Sequence, residues 1–183
     1  MPVSDQGATR DRYMLIPRVL IFATRGERVL LLRGSPTKRL WAGKYNGVGG
    51  HLEPGEDILS AARRELLEET GLLAGPSTNP SQDLWLCGTI VVDTGGNPGI
   101  GMYVFTGELP VGELIESPEG SLEWVPFSKV PGLPVVEDLP VLLGRIQKMK
   151  SGDPLFAARS FYDEAGNLVV KFAIIQPPAD QAS

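Results

Sequence analysis

Glu65, Glu68 and Glu69 are the residues whose types and spacing most directly imply chemistry. They stand at i, i+3 and i+4, so a helix projects three carboxylates onto neighbouring parts of one surface. Like charges this close repel, and a cation that joins them removes the penalty. Carboxylate oxygens suit hard ions, and Mg2+ characteristically combines one or two carboxylates with substrate phosphates. The pattern points to a divalent-metal site acting on a phosphorylated substrate. A solvated helical face is the ordinary reading of Glu-Xaa-Xaa-Glu-Glu taken alone.

The wider spacing separates the two readings. Gly50, five residues, Glu56, seven residues, Arg64-Glu65-Leu66, one residue, Glu68-Glu69, one residue and Gly71-Leu72 form one ordered pattern. At average residue frequencies a chance match in a chain of this length is on the order of one in ten million. The segment resembles the Nudix signature.

That resemblance implies an α/β fold, a Nudix-type α/β/α sandwich with a mixed β-sheet. It also implies a hydrolase of phosphoanhydride bonds using Mg2+, with Mn2+ as the alternative ion. Glu68 and Glu69 are the first candidates for metal ligands, and Glu65 is a ligand or the general base. The resemblance adds the backbone carbonyl of Gly49 to the ligands. A glycine there suits close approach of backbone to an ion. Arg64 and Glu56 suit a bidentate pair that ties the loop to the helix. Glu53 is peripheral, or touches a second metal. Relatives recruit one more acid from a later loop. Among Glu113, Glu116, Glu119 and Glu123, Glu119 most resembles the MutT arrangement, against the alternative of a solvated acidic loop.

Substrate choice is read outside this segment. Trp41 to Gly50 resembles MutT and the mammalian oxidised-purine nucleoside triphosphatases, with an aromatic residue, Asn-Gly and Gly-Gly. Asn46 offers a donor and an acceptor to a purine edge. Trp41, Tyr45 and Phe105 are stacking candidates, with a core or lid role as the alternative for Trp41. Glu137-Asp138 resembles the acidic pair of the mammalian-type enzymes. Two adjacent carboxylates in a pocket push one pKa upward, so one acid can donate to a base carbonyl. Alternatively Asp138 caps a helix beginning near Pro140. One departure stands out: Val135 and Val136 occupy the place of a stacking tryptophan.

The expected reaction converts a nucleoside triphosphate to monophosphate and pyrophosphate, with 8-oxo-dGTP or a related dNTP among the candidates. The alternatives are hydrolysis of another nucleoside diphosphate-X such as ADP-ribose, or a non-catalytic ligand-binding module. The proline that marks ADP-ribose hydrolases is absent at Leu86 and Cys87. The tyrosine that marks dinucleoside polyphosphate hydrolases is absent at Thr89 and Ile90.

The elements that must position these groups follow from patterning. Met14–Ala23 and Arg28–Arg33 are apolar runs around a turn, a hairpin signal. Asp57–Thr70 reads as a helix with an apolar stripe and Gly71 as its stop. Leu84–Asp93 and Gly101–Gly107 read as antiparallel strands, Ser121–Pro126 as another strand and Pro140–Lys150 as the second helix. Ala158–Tyr162 and Leu168–Ile175 form a final hairpin.

The 183 residues suit one domain, expected over 12–175, with flexible segments at 1–11 and 176–183. A net charge of −5 disfavours a nucleic-acid polymer or an anionic membrane as partner and is compatible with a small nucleotide. Cys87 is the only cysteine, which excludes an intrachain disulfide, and it is expected in a buried strand. His51 is the only histidine, which excludes multi-histidine metal sites. With no signal core and no membrane-length apolar run, the expectation is a cytoplasmic monomer or homodimer.

Overall fold

The computed structural model describes residues 7, 11–37, 41–75, 83–109, 112–117 and 119–174. The two expected flexible segments therefore lie outside the described residues, apart from Gly7 and Asp11.

Strand β1, Leu15–Arg25, organises the sheet. Val19, Ile21 and Ala23 enter one core, and Leu20 and Phe22 enter the other. A strand buried on both faces needs a continuous apolar run, which is what this segment supplies. The turn Gly26-Glu27 returns the chain into β2, Arg28–Gly34, with Arg25 opposite Arg28. The remaining strands are β3 (Tyr45–Asn46), β4 (Trp85–Val92), β5 (Gly99–Glu108), β6 (Gly120–Pro126), β7 (Phe156–Tyr162) and β8 (Leu168–Phe172). The order is β3-β2-β1-β5-β4-β7-β8, with β6 also paired to β2. β1/β5 and β4/β7 are parallel and the other pairs antiparallel, so the sheet is mixed.

Helix α1, Ile58–Thr70, covers one face through Ala61, Ala62 and Leu66. Helix α2, Leu139–Ile146, covers the other through Leu139, Leu142, Leu143 and Ile146. This is the expected α/β/α sandwich. Asp57 caps α1 by accepting from the backbone N–H groups of Leu59 and Ser60 at 2.9 and 3.0 Å. Gly71 ends the helix in the left-handed region at φ 76°, where a glycine is favoured. None of the described helices is long and apolar enough to cross a membrane.

Two elements differ from the expectation. Helix α2 stops at Ile146 rather than Lys150. The N–H groups of Lys148 and Met149 close tighter turns on the carbonyls of Arg145 and Ile146, and that of Lys150 turns to the Asp153 carboxylate. A short 3-10 helix, Phe127–Gly132, follows β6 without an apolar period to announce it. Cys87 is fully buried as expected, and burial pushes its thiol pKa up to about 12.

Candidate active site

The segment Gly47–His51 lies antiparallel against β1. The N–H of Val19 donates to the Gly50 carbonyl at 2.9 Å, and that of Ile21 to the Val48 carbonyl at 2.7 Å. In an extended chain successive peptide groups alternate sides, so the N–H and carbonyl of Gly49 face away from β1. The Gly49 N–H donates to Oε2 of Glu69 at 3.2 Å. A Cβ on Gly49 would collide with the Val19 carbonyl, and its φ of +153° is itself unfavourable for other residues. A Cβ on Gly50 would collide with the Glu65 carboxylate. The two glycines are thus required by β1 beneath them and Glu65 above.

Arg64 is the hub of the helix-to-loop junction. Its Nε and one terminal nitrogen donate to the two oxygens of Glu56 at 2.7 and 2.9 Å, the bidentate pair expected. It also donates to Glu65 at 2.9 Å, to Glu68 at 3.2 Å and to the His51 carbonyl at 3.0 Å. The Arg64 bond, helped by the Glu53 N–H, lowers the Glu56 pKa to about 2. Glu56, ahead of Glu65 and Glu68, raises that of Arg64. A protein cation therefore already offsets part of the repulsion among the glutamates.

The expected ligands fall into two groups. Glu65 and Glu68 engage Arg64, and Glu68 is largely exposed. Gly49, Glu69 and Glu119 line a cavity together with Trp41, Lys44 and Asn46. Of the four later acids, Glu119 is the one in this cavity, Glu123 accepts from the Tyr45 hydroxyl at 2.9 Å, and Glu113 and Glu116 are exposed. Among the described residues no three acidic, histidine or cysteine side chains converge into a closed cage. The donors at hand are all carboxylate and carbonyl oxygens, beside glycines that leave room at the backbone. That set fits Mg2+, which keeps waters and takes substrate phosphates rather than an all-protein cage.

The base-recognition residues divide differently from the expectation. Trp41 is half exposed at the cavity wall, in the left-handed region at φ 57°. Asn46 shares that cavity, and its Oδ1 accepts from the Gly47 N–H at 2.8 Å. Tyr45 is buried in the α2-side core, because adjacent strand residues point to opposite faces. It does not stack in the cavity as expected. Phe105 is also core, on the α1 side. Glu137 and Asp138 do not line the cavity of Asn46. Their segment pairs with β3, since Tyr45 bonds Pro134 and Val136 through backbone groups at 2.8 and 3.0 Å. Glu137 accepts from the Tyr162 hydroxyl at 3.4 Å. The side chain of Asp138 does not cap α2. Burial, ahead of the charge of Glu137, pushes the Asp138 carboxyl pKa up.

Lys44 and the wider reach of Arg64 were not anticipated from the sequence. Lys44 sits two residues before Asn46, a period-two signal for the same side of an extended chain.

A glutamate-bearing helix clamped to a Gly-Gly strand, on a mixed sheet between two helices, defines a Nudix domain. Residues 14–142 match the model of the NUDIX domain, and the chain belongs to that family and is a hydrolase of the Nudix class. The chain is 35% identical over 113 residues to the oxidized purine nucleoside triphosphate hydrolase of Danio rerio, covering 61% of this chain and 67% of that one. It is 29% identical over 127 residues to the NAD-capped RNA hydrolase NudC of Stutzerimonas stutzeri, covering 68% of this chain and 41% of that one. The fold matches the MutT protein of Bacillus halodurans with a TM-score of 0.69 at 24% identity, over 86% of this chain and 97% of that one.

Proposed function

We propose that this chain is a Mg2+-dependent pyrophosphohydrolase of nucleoside triphosphates, releasing monophosphate and pyrophosphate. The observation that carries the reading is the clamp between Gly49 and Glu69 beside a helix face that also bears Glu65 and Glu68. Glu68, Glu69 and the Gly49 carbonyl would hold the ion, with Glu65 and Glu119 completing the set. A bound divalent ion supplies charge neutralisation at the phosphates and a lowered pKa for water. Glu65, packed over Gly50, orients the attacking water or takes its proton. Arg64 positions Glu65 and Glu68 and keeps the Glu56 loop against the helix. Lys44 adds a cation facing the phosphate chain. Asn46 reads the base edge and Trp41 stacks on it. The name of the Danio rerio relative supports an oxidised purine such as 8-oxo-dGTP as substrate.

A second reading is a nucleoside diphosphate-X substrate such as ADP-ribose. The separation of Glu137-Asp138 from the Asn46 cavity and the NudC similarity favour it. The deciding experiment measures products with Mg2+ across common dNTPs and NTPs, 8-oxo-dGTP, ADP-ribose and a dinucleoside polyphosphate. Pyrophosphate from 8-oxo-dGTP ahead of the others is the expected result. Turnover of ADP-ribose or the dinucleotide alone would replace it with the second reading.

A further inference from the structure

Arg18 is a charged residue of β1 with no side-chain partner among the described residues. Its Nε is buried, and its guanidinium makes no hydrogen bond or ion pair with any described residue. A buried donor left unsatisfied is destabilising and rare in native proteins, so an acceptor that reaches Nε would be stabilising. Its surroundings say what kind.

Leu20 and Phe22 point to the α2 side of β1, so Arg18, in step with them, does the same. His51 lies opposite Arg18 in an antiparallel bridge, and Met102 lies opposite it on β5. Side chains in register share a face, so His51, Arg18 and Met102 form a row across strands about 5 Å apart. Met102 packs on the rim of the α2-side core, while His51 is exposed. The row therefore sets the Arg18 guanidinium between an exposed imidazole and an apolar side chain. It is joined to the glutamate cluster, because the carbonyl of His51 accepts from Arg64 at 3.0 Å. Segment Gly47–His51 thus carries Gly50 under Glu65 on one face and the Arg18–His51 row on the other.

We propose that Arg18 is a substrate-specificity residue, donating to an oxygen acceptor on the part of the nucleotide that lies beyond the cleaved anhydride. The acceptor is either a phosphate oxygen or a ring carbonyl of the base, and the second case moves the base from the Asn46 cavity to the α2 side of the sheet. Arg18 touches substrate in this scheme but takes no part in bond cleavage, and His51 lines the same subsite. The proposal rests on the hydrolase reading for its substrate class and extends it to a face of the sheet which that reading leaves unused.

The test compares Arg18→Met, which keeps an apolar stem, with Arg18→Lys, which keeps the charge. Binding of dGMP, dAMP, dGDP and dADP is measured by calorimetry, and KM and kcat on whichever triphosphates turn over. The expected result for Arg18→Met is about a 10- to 100-fold rise in Kd and KM with kcat within threefold, recovered in part by Arg18→Lys. Weakening confined to guanine nucleotides identifies the ring carbonyl as the acceptor. Equal weakening for both bases identifies phosphate. Kd and KM within twofold of wild type for every nucleotide, with an unchanged or raised melting temperature, would overturn the proposal. Should Arg18→Met not fold, Arg18→Gln carries the same reading. Wild-type protein that binds nucleotide without turnover would sink the hydrolase reading and leave the Arg18 test intact.

Discussion

The glutamate face of α1 and the base-recognition residues are assembled in opposite ways. The first is local: Glu56, Arg64, Glu65, Glu68 and Glu69 lie within 14 consecutive positions, with one guanidinium joining Glu56, Glu65 and Glu68 and the Gly49 N–H holding Glu69. The second draws Trp41 from a loop and Asn46 from β3, and leaves Glu137-Asp138, on the approach to α2, outside their cavity. A helix fixes side chains three and four apart without help from the rest of the chain. A pocket built from distant segments depends on strand pairing and on which face each residue takes. On the proposed reading the carboxylates of the phosphate chemistry sit mainly on one helix, joined by Gly49, Lys44 and Glu119, while substrate choice rests on residues from separate elements.

If the two regions are separable, substitutions should sort by kinetic signature. The largest effect is expected at Glu68→Gln, with kcat lower by about 10²- to 10³-fold or more. The melting temperature should stay within about 2 °C, since Glu68 is largely exposed and its ion pair is of the weak surface kind. Loss of folding in this variant would mean that the face is structural.

Gly50→Ala comes next. Its Cβ must displace the Glu65 carboxylate, so turnover should fall about 10- to 100-fold while circular dichroism still shows a folded protein. Gly49→Ala should instead lower the melting temperature, because its Cβ meets backbone that cannot move aside.

Asn46→Ala belongs to the other region. It should raise KM for purine nucleotides by about tenfold with kcat nearly unchanged, losing a hydrogen-bonded pair to the base. An equal fall in kcat and kcat/KM would place Asn46 with the glutamates. Asp138→Asn should alter KM less, given that Asp138 lies away from the Asn46 cavity.

The smallest effect is on stability in acid. The Glu56 pKa is lowered to about 2 in the folded chain, against about 4.3 for an unperturbed glutamate. A lowered folded pKa adds stability above the unfolded value, and that addition is lost as pH falls through the folded value. Thermal melts of wild type and Glu56→Gln should therefore differ at pH 6 and converge between about pH 4 and pH 2. A gap that persists at pH 2 would contradict the ion pair as its source.

The local region was legible in the sequence for a physical reason. Gly71 as the helix stop and the Glu56–Arg64 pair are short-range features, and each is where the spacing put it, while Asp57, read as the first helical residue, is the cap one position before the helix. The hairpin of β1 and β2 was equally plain, since two apolar runs flank a glycine turn. Tyr45 was not, because a two-residue strand has no period from which to choose a face. The early end of α2 depends on Asp153, a residue beyond the helix that no apolar stripe announces. The split between the Asn46 cavity and Glu137-Asp138 is a tertiary matter, set by the pairing of Tyr45 with Pro134 and Val136.

Mg2+-dependent hydrolysis is decided by pyrophosphate release from a nucleoside triphosphate, measured with Mg2+, with EDTA and after restoring Mg2+. One pyrophosphate per monophosphate is expected with Mg2+, none with EDTA and full recovery on restoring the ion. Nucleotide binding without turnover under any of these conditions, or hydrolysis that EDTA leaves unchanged, would contradict Mg2+-dependent hydrolysis.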